Sequence, residues 1–152
     1  MTRSRRGDSA LAGVVCAAIG AMALSSSSGA APAASVDLAG PRLQTIERIA
    51  RFYAAAMGDR HPLGALVIAS DRQRANRLTN GDVVNSNEPV YVVQISGQFV
   101  DYLASVPPGQ PFPRGNTIEL IIDRSSLRIT DDSLSSVMSI SHLGHPDPLA
   151  LG

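Results

Sequence analysis

The sequence predicts an α+β domain: one amphipathic helix packed on a small antiparallel sheet of three to four strands, plus a second short helix. Two observations indicate this class. Residues 41–57 carry apolar side chains at spacings of three and four, which is the pattern of a helix with one buried face. Several later stretches are short and rich in β-branched residues, as strands are, and residues that favour turns separate them.

Residues 1–30 are expected to be a cleavable signal peptide and not part of this domain. A positively charged start precedes an uncharged apolar stretch at 10–24, and small residues follow it. Ser28-Gly29-Ala30 places small side chains where a signal peptidase needs them, so cleavage is predicted after Ala30, with Ala33 nearly as favourable. The apolar stretch is shorter than the roughly 20 residues of a spanning helix. We therefore expect no membrane span in the mature form.

The composition of the remaining chain limits its partners and its location. Removing the leader leaves ten arginines against twelve acidic residues. Without a basic excess to neutralise phosphates, nucleic acid is not expected as a partner. The single cysteine, Cys16, lies in the leader, so no disulfide is expected. A processed leader predicts a secreted or extracytoplasmic protein of the cell envelope.

The mature chain is expected to begin with a flexible segment, 31–40, followed by a single domain over 41–138. Pro41 suits the first turn of a helix, and Gly58 supplies the residue that commonly ends one. Residues 63–70 are predicted to be a strand, and 71–78 a short helix that Ser70 or Asp71 can cap.

Three further strands are predicted, and then a loose tail. Residues 88–100 are apolar on both faces, which favours a central strand. Residues 117–123 and 127–130 follow, separated by a turn. The segment 101–115 contains four prolines and cannot be strand interior, because proline lacks the N–H that a ladder needs. Residues 139–152 are small, polar and proline-containing, which predicts a loosely ordered tail.

The order of motifs from Leu63 to Gly144 resembles a group of small uncharacterised exported proteins of high-GC Gram-positive bacteria. Those proteins share a "VYVV…G.F" strand, a loop ending in Pro-x-Gly and an "L.L.ID..TG.VTD" hairpin. The chain matches them at residues 90–93, Gly97, Phe99, 113–115 and 118–131, but Leu127 stands where the group has glycine. More distantly, the helix-plus-hairpin pattern is similar to PepSY-type and cystatin-like modules, a likeness of fold that implies no site.

Two sets of residues are candidates for a functional site. Tyr102 and Phe112 lie on the proline-rich loop, and aromatics on a stiff exposed loop suit partner recognition. The alternative is that both rings fold back over the sheet edge. His142, His145 and Asp147 carry ligand chemistry for a metal, although a Gly/Pro-containing tail does not hold them in a fixed geometry. No catalytic residue and no cofactor are predicted.

The sequence favours a non-enzymatic binding or interaction domain that acts outside the cytoplasmic membrane on an unknown protein or envelope partner. Two alternatives stay open. One is a small hydrolase or metal-dependent enzyme that uses His142 and His145. The other is a carrier of small apolar ligands, with the helix raised from the sheet to form a pocket.

Overall fold

A computed structural model describes residues 40–79, 81–136 and 139–151. The elements follow in the order α1 Pro41–Ala56, β1 Gly64–Asp71, α2 Arg72–Thr79, β2 Pro89–Val100, β3 Arg114–Asp123, β4 Ile129–Ser135, a 3-10 helix Ile140–Leu143 and β5 Asp147–Leu149. The predicted signal peptide and residues 31–39 of the predicted flexible start lie outside the described residues.

The strands form one antiparallel sheet in the order β4-β3-β2-β1-β5, so the α+β class is confirmed. β2 lies at the centre, as expected from its two apolar faces. The prediction of three to four strands is corrected to five, because β5 pairs with residues 65–67 of β1. β5 has three residues and contains Pro148, so no alternating pattern marks it in the sequence.

The two faces of the sheet are covered by different helices. One face packs with the apolar stripe of α1, in which Ile46, Ala50 and Ala54 are fully buried. The opposite face packs with α2 and the 3-10 helix, through Ala75, Ile140 and Leu143. Because successive residues of a strand point to opposite faces, the central strand contributes Tyr91 and Val93 to the first core, and Val92 to the second.

Local signals in the sequence explain where the helices begin and end. Pro41 occupies the first turn of α1, and Gly58 follows its end with a φ of 92°, which glycine adopts without strain. Asp71 caps α2, because its Oδ1 accepts a hydrogen bond from the Arg74 N–H at 2.7 Å.

The C-terminal segment differs from the expected loose tail. Ile140 and Leu143 are buried in the second core, and Leu149 of β5 is buried in the first. The backbone N–H of Ile140 also donates to Oε1 of Gln94, at 2.9 Å. Three apolar residues spaced widely among small polar ones produce no periodicity, but each packs into one of the two cores.

Candidate functional site

The loop between β2 and β3, residues 101–113, is held in shape by Asp101. The Asp101 backbone N–H donates to the carbonyl oxygen of Pro113 at 2.9 Å, which closes the base of the loop. Its carboxylate Oδ1 accepts from the N–H groups of Leu103 and Ala104, at 3.0 and 3.1 Å. The loop therefore has internal hydrogen bonds in addition to its four stiff prolines.

Tyr102 and Phe112, predicted as binding residues, are brought together on this loop. Their ring centroids lie 5.6 Å apart in an edge-to-face arrangement. Tyr102 also packs over the end of α1, where a Cβ on Gly58 would lie 3.3 Å from its Cε2 atom. Even so, 55% of Tyr102 and 39% of Phe112 stay exposed, and the neighbouring Leu103 is 89% exposed. The loop thus presents apolar side chains to solvent.

Asp59 joins the end of α1 to the strand that leads into this loop. Its Oδ1 accepts from the His61 N–H and its Oδ2 from the Gln98 N–H, both at 2.9 Å. At Gly97 a Cβ would collide with Asp59 Oδ2 and with the ring of Phe99, which lies 2.6 Å from that position. A side chain at position 97 would therefore force Asp59 or Phe99 to move.

A second feature, an open groove of about 760 Å³, lies beside α1. Phe52 and Leu63 are its most exposed apolar side chains, at 76% and 87%. The groove is lined by Arg48, Arg51, Phe52, Ala55, Arg60, His61, Pro62, Leu63, Gly64 and Leu151. Sequence analysis missed this groove, although one signal was available: Phe52 is an aromatic residue outside the apolar stripe of α1.

The groove and the loop lie side by side. His61 and Leu63 line a small depression together with Gly58, on which Tyr102 packs. Five of the eight exposed large apolar residues in the described chain lie around this end of α1. We call these five residues the α1-end surface: Phe52, Leu63, Tyr102, Leu103 and Phe112. A concentration of this kind is typical of an interaction surface.

The candidate metal ligands occupy exposed positions on the C-terminal segment. His142 lies on the 3-10 helix, His145 follows it, and Asp147 begins β5. Within the described ranges, no three His, Cys, Asp or Glu side chains lie together as a metal site requires. The His142–His145 spacing places Leu143 between them, and Leu143 is a core residue. The metal hypothesis therefore stays a prediction without geometric support.

Glu119 is a buried titratable residue that sequence analysis did not single out. Only 1% of it is exposed, and neither carboxylate oxygen has a hydrogen-bond partner in the described part of the chain. The Thr79 hydroxyl beside it donates instead to the Ala75 carbonyl oxygen, at 2.9 Å. Burial raises the pKa of the Glu119 carboxyl to about 7, because the charged form loses its hydration. The sequence pattern of β3 does not indicate that Glu119 is buried.

The fold and this surface define an α+β domain with a five-stranded antiparallel sheet between two helical layers. Comparison with protein-family models, curated proteins and solved structures found no match to the chain. Among the described helices, none has the length and apolar character needed to cross a membrane.

Proposed function

We propose that the mature chain is a non-enzymatic interaction domain that acts outside the cytoplasmic membrane and binds a protein partner through its β2–β3 loop. The observation that carries this proposal is the exposed Tyr102–Phe112 pair on a hydrogen-bonded loop. Large aromatic side chains contribute much of the binding energy in protein interfaces. A loop held in one shape by internal hydrogen bonds loses less entropy on association than a flexible loop does.

The packing of α1 favours an interaction domain over a carrier of apolar ligands. The buried face of α1 lies directly against sheet side chains, with Ile46, Ala50 and Ala54 fully buried. A carrier of apolar ligands would need space under this helix. Five of the eight exposed large apolar side chains in the described chain lie outside that core, on the α1-end surface. This arrangement suits contact with another macromolecule better than enclosure of a small ligand.

Affinity capture with the exported, tagged protein tests the proposal. Proteins captured from the envelope and culture medium are compared for the wild type, for the double variant Tyr102→Ala/Phe112→Ala and for Val83→Ala. Val83 is a matched control, because it is 83% exposed in the loop between α2 and β2 and lies outside the α1-end surface. We expect the double variant to lose the captured partner and Val83→Ala to retain it. A partner retained equally by all three proteins would contradict the proposal.

A further inference from the structure

We propose that the groove beside α1 binds an acidic segment of the protein partner, one that also carries a bulky apolar side chain. This inference rests on the proposed function, since it names the chemistry of the partner that the α1-end surface would recognise. It concerns a different part of that surface from the loop.

The first argument for an acidic ligand is the positive charge of the groove. Three arginines line it, Arg48, Arg51 and Arg60, and no Asp or Glu is among its lining residues in the described chain. Two acids are adjacent to these arginines in sequence, Glu47 before Arg48 and Asp59 before Arg60, and neither lines the groove. Asp59 uses both carboxylate oxygens to accept backbone N–H groups. The mature chain as a whole carries more acids than arginines, so this positive groove is a local feature and not a consequence of overall charge.

Two of these guanidinium groups are available to a ligand. Arg48 donates a single side-chain hydrogen bond to the neutral Thr45 hydroxyl, at 3.3 Å. Neither Arg48 nor Arg60 forms an ion pair within the residues that the structure describes. Arg72 differs, because its guanidinium lies 3.2 Å from the Asp131 carboxylate. Guanidinium groups without an internal acid can form paired hydrogen bonds with carboxylates of a partner.

The apolar residues of the groove define the second requirement of the ligand. Phe52 and Leu63 expose most of their surface here, and Pro62 and Leu151 complete the apolar lining. A ligand with carboxylates alone would leave these side chains in water. A segment that alternates acidic and bulky apolar residues matches both features, and aromatic and arginine side chains are the most frequent strong contributors at protein interfaces.

A peptide fits these features better than nucleic acid or a lipid surface. The two available charges occupy one short groove, whereas phosphate-binding proteins distribute basic residues along a stripe. The acidic excess of the mature chain also opposes approach to an anionic membrane.

Three immobilised peptides, EEFEELE, QQFQQLQ and KKFKKLK, test the inference with the exported protein. We expect the acidic peptide to bind, the glutamine peptide to bind at least about tenfold more weakly and the lysine peptide not to bind. Because surface charges are screened by salt, binding of the acidic peptide is expected to weaken at high ionic strength. Equal binding of the acidic and glutamine peptides would overturn the inference, as would tighter binding to phosphatidylglycerol vesicles or to a thymidine oligonucleotide.

Charge-reversal variants locate the site. The double variant Arg48→Glu/Arg60→Glu is expected to lose at least about tenfold in affinity for the acidic peptide. Arg74→Glu/Arg77→Glu is the matched control, because it changes the net charge equally and both residues are exposed on α2, which packs on the opposite face of the sheet. A circular dichroism melt establishes that each variant is folded. Equal losses in the variant and the control would place binding elsewhere and overturn the inference.

The same variants separate this inference from the proposed function. Loss of the captured partner in Tyr102→Ala/Phe112→Ala, but not in Arg48→Glu/Arg60→Glu, would overturn the acidic-segment inference and leave the interaction domain intact. Retention of the partner in both double variants would overturn both proposals. Loss of the partner in both supports a single binding surface that joins the loop and the groove.

Discussion

Glu119 lies where an ionised carboxylate is least favourable, in the middle of β3 under a helical layer. Its register neighbours are Gln94 on β2 and Ser133 on β4, so the charge has polar residues beside it in the sheet. Nevertheless its oxygens lack hydrogen-bond partners among the residues described here. The folded protein consequently binds the Glu119 proton more tightly than the unfolded chain does, and stability becomes dependent on pH.

The direction of this dependence follows from the raised pKa. Between the ordinary pKa of 4.5 and the folded value of about 7, the folded state holds more protons than the unfolded state. The free energy of unfolding is therefore expected to fall as pH rises through this window, by up to roughly 3 kcal/mol, and to level off above it. Glu119→Gln, which carries no ionisable group, should lose this part of the pH dependence.

Urea denaturation at pH 5 and pH 7.5 measures the effect. The Glu119→Gln variant is compared with the wild type and with Asp82→Asn, a control at an exposed position in the loop before β2. We expect the wild type and the control to lose stability at the higher pH, and Glu119→Gln to change much less. A Glu119→Gln protein with the full wild-type decrease would show that another group is responsible.

The turn between β3 and β4 shows how side chains impose a backbone conformation. Asp123 Oδ1 accepts from the hydroxyl and N–H of both Ser125 and Ser126, at 2.6 to 3.2 Å. Hydrogen bonds from the Ser125 hydroxyl, and next from the Ser126 hydroxyl, lower the pKa of the Asp123 carboxyl to about 2, because they favour its charged form. This cap sets the path of the turn up to Leu127.

Leu127 completes the turn with a φ of 54°, the only positive value at a described non-glycine residue. Leucine is an unfavourable residue for this conformation, because its side chain opposes a positive φ. The turn forms in spite of it, because the Leu127 N–H donates to the Asp123 carbonyl oxygen at 2.9 Å and its side chain packs against the α1 core. Packing thus offsets a left-handed conformation that costs roughly 1–2 kcal/mol.

Two substitutions at this position separate strain from packing. Leu127→Ala removes the side-chain contacts but keeps the strain, whereas Leu127→Gly removes both. We expect Leu127→Gly to be about 1 kcal/mol more stable than Leu127→Ala, as measured by urea denaturation. As a control, the same pair of variants at Leu78, which is exposed on α2, should show the opposite order, because glycine weakens a helix. A Leu127→Ala variant as stable as Leu127→Gly would mean that the turn is unstrained.

For the molecule as a whole, we propose that the predicted leader directs export. It lies outside the described residues, so its removal is a prediction from sequence alone. Mass spectrometry of the exported protein is expected to find an N-terminus directly after Ala30 or Ala33. Ala30→Leu/Ala33→Leu, which removes the small residue before each site, should accumulate as the precursor. A soluble cytosolic protein with an intact Met1 would contradict export.

The fold could be predicted well wherever the signal is local. The helix from Pro41, its end at Gly58 and the cap at Asp71 depend on neighbouring residues, and each appears in the structure. The two-sided apolar pattern of 90–95 likewise indicated the central strand. β5 could not be predicted, because its partner on β1 is more than seventy residues away in sequence.

In the candidate site, too, local features could be predicted and contacts between distant segments could not. Tyr102 and Phe112 could be selected because they share one stiff loop, although their contact could not be foreseen. The groove could not be predicted, because Arg48, Arg60 and Leu151 come from three separate segments. The burial of Glu119 was also hidden, since α2 and the 3-10 helix that pack on this face of the sheet lie far from it along the chain.

The charge of the chain, the α+β class and the helix ends could be predicted from the sequence. These depend on composition or on contacts between near neighbours, which a linear pattern records. Only packing in three dimensions produced the fifth strand, the burial of Ile140, Leu143 and Leu149, the burial of the Glu119 carboxylate and the position of arginines beside Phe52 and Leu63. Each of these results from packing between segments distant along the chain, and such packing leaves no periodic trace in the sequence.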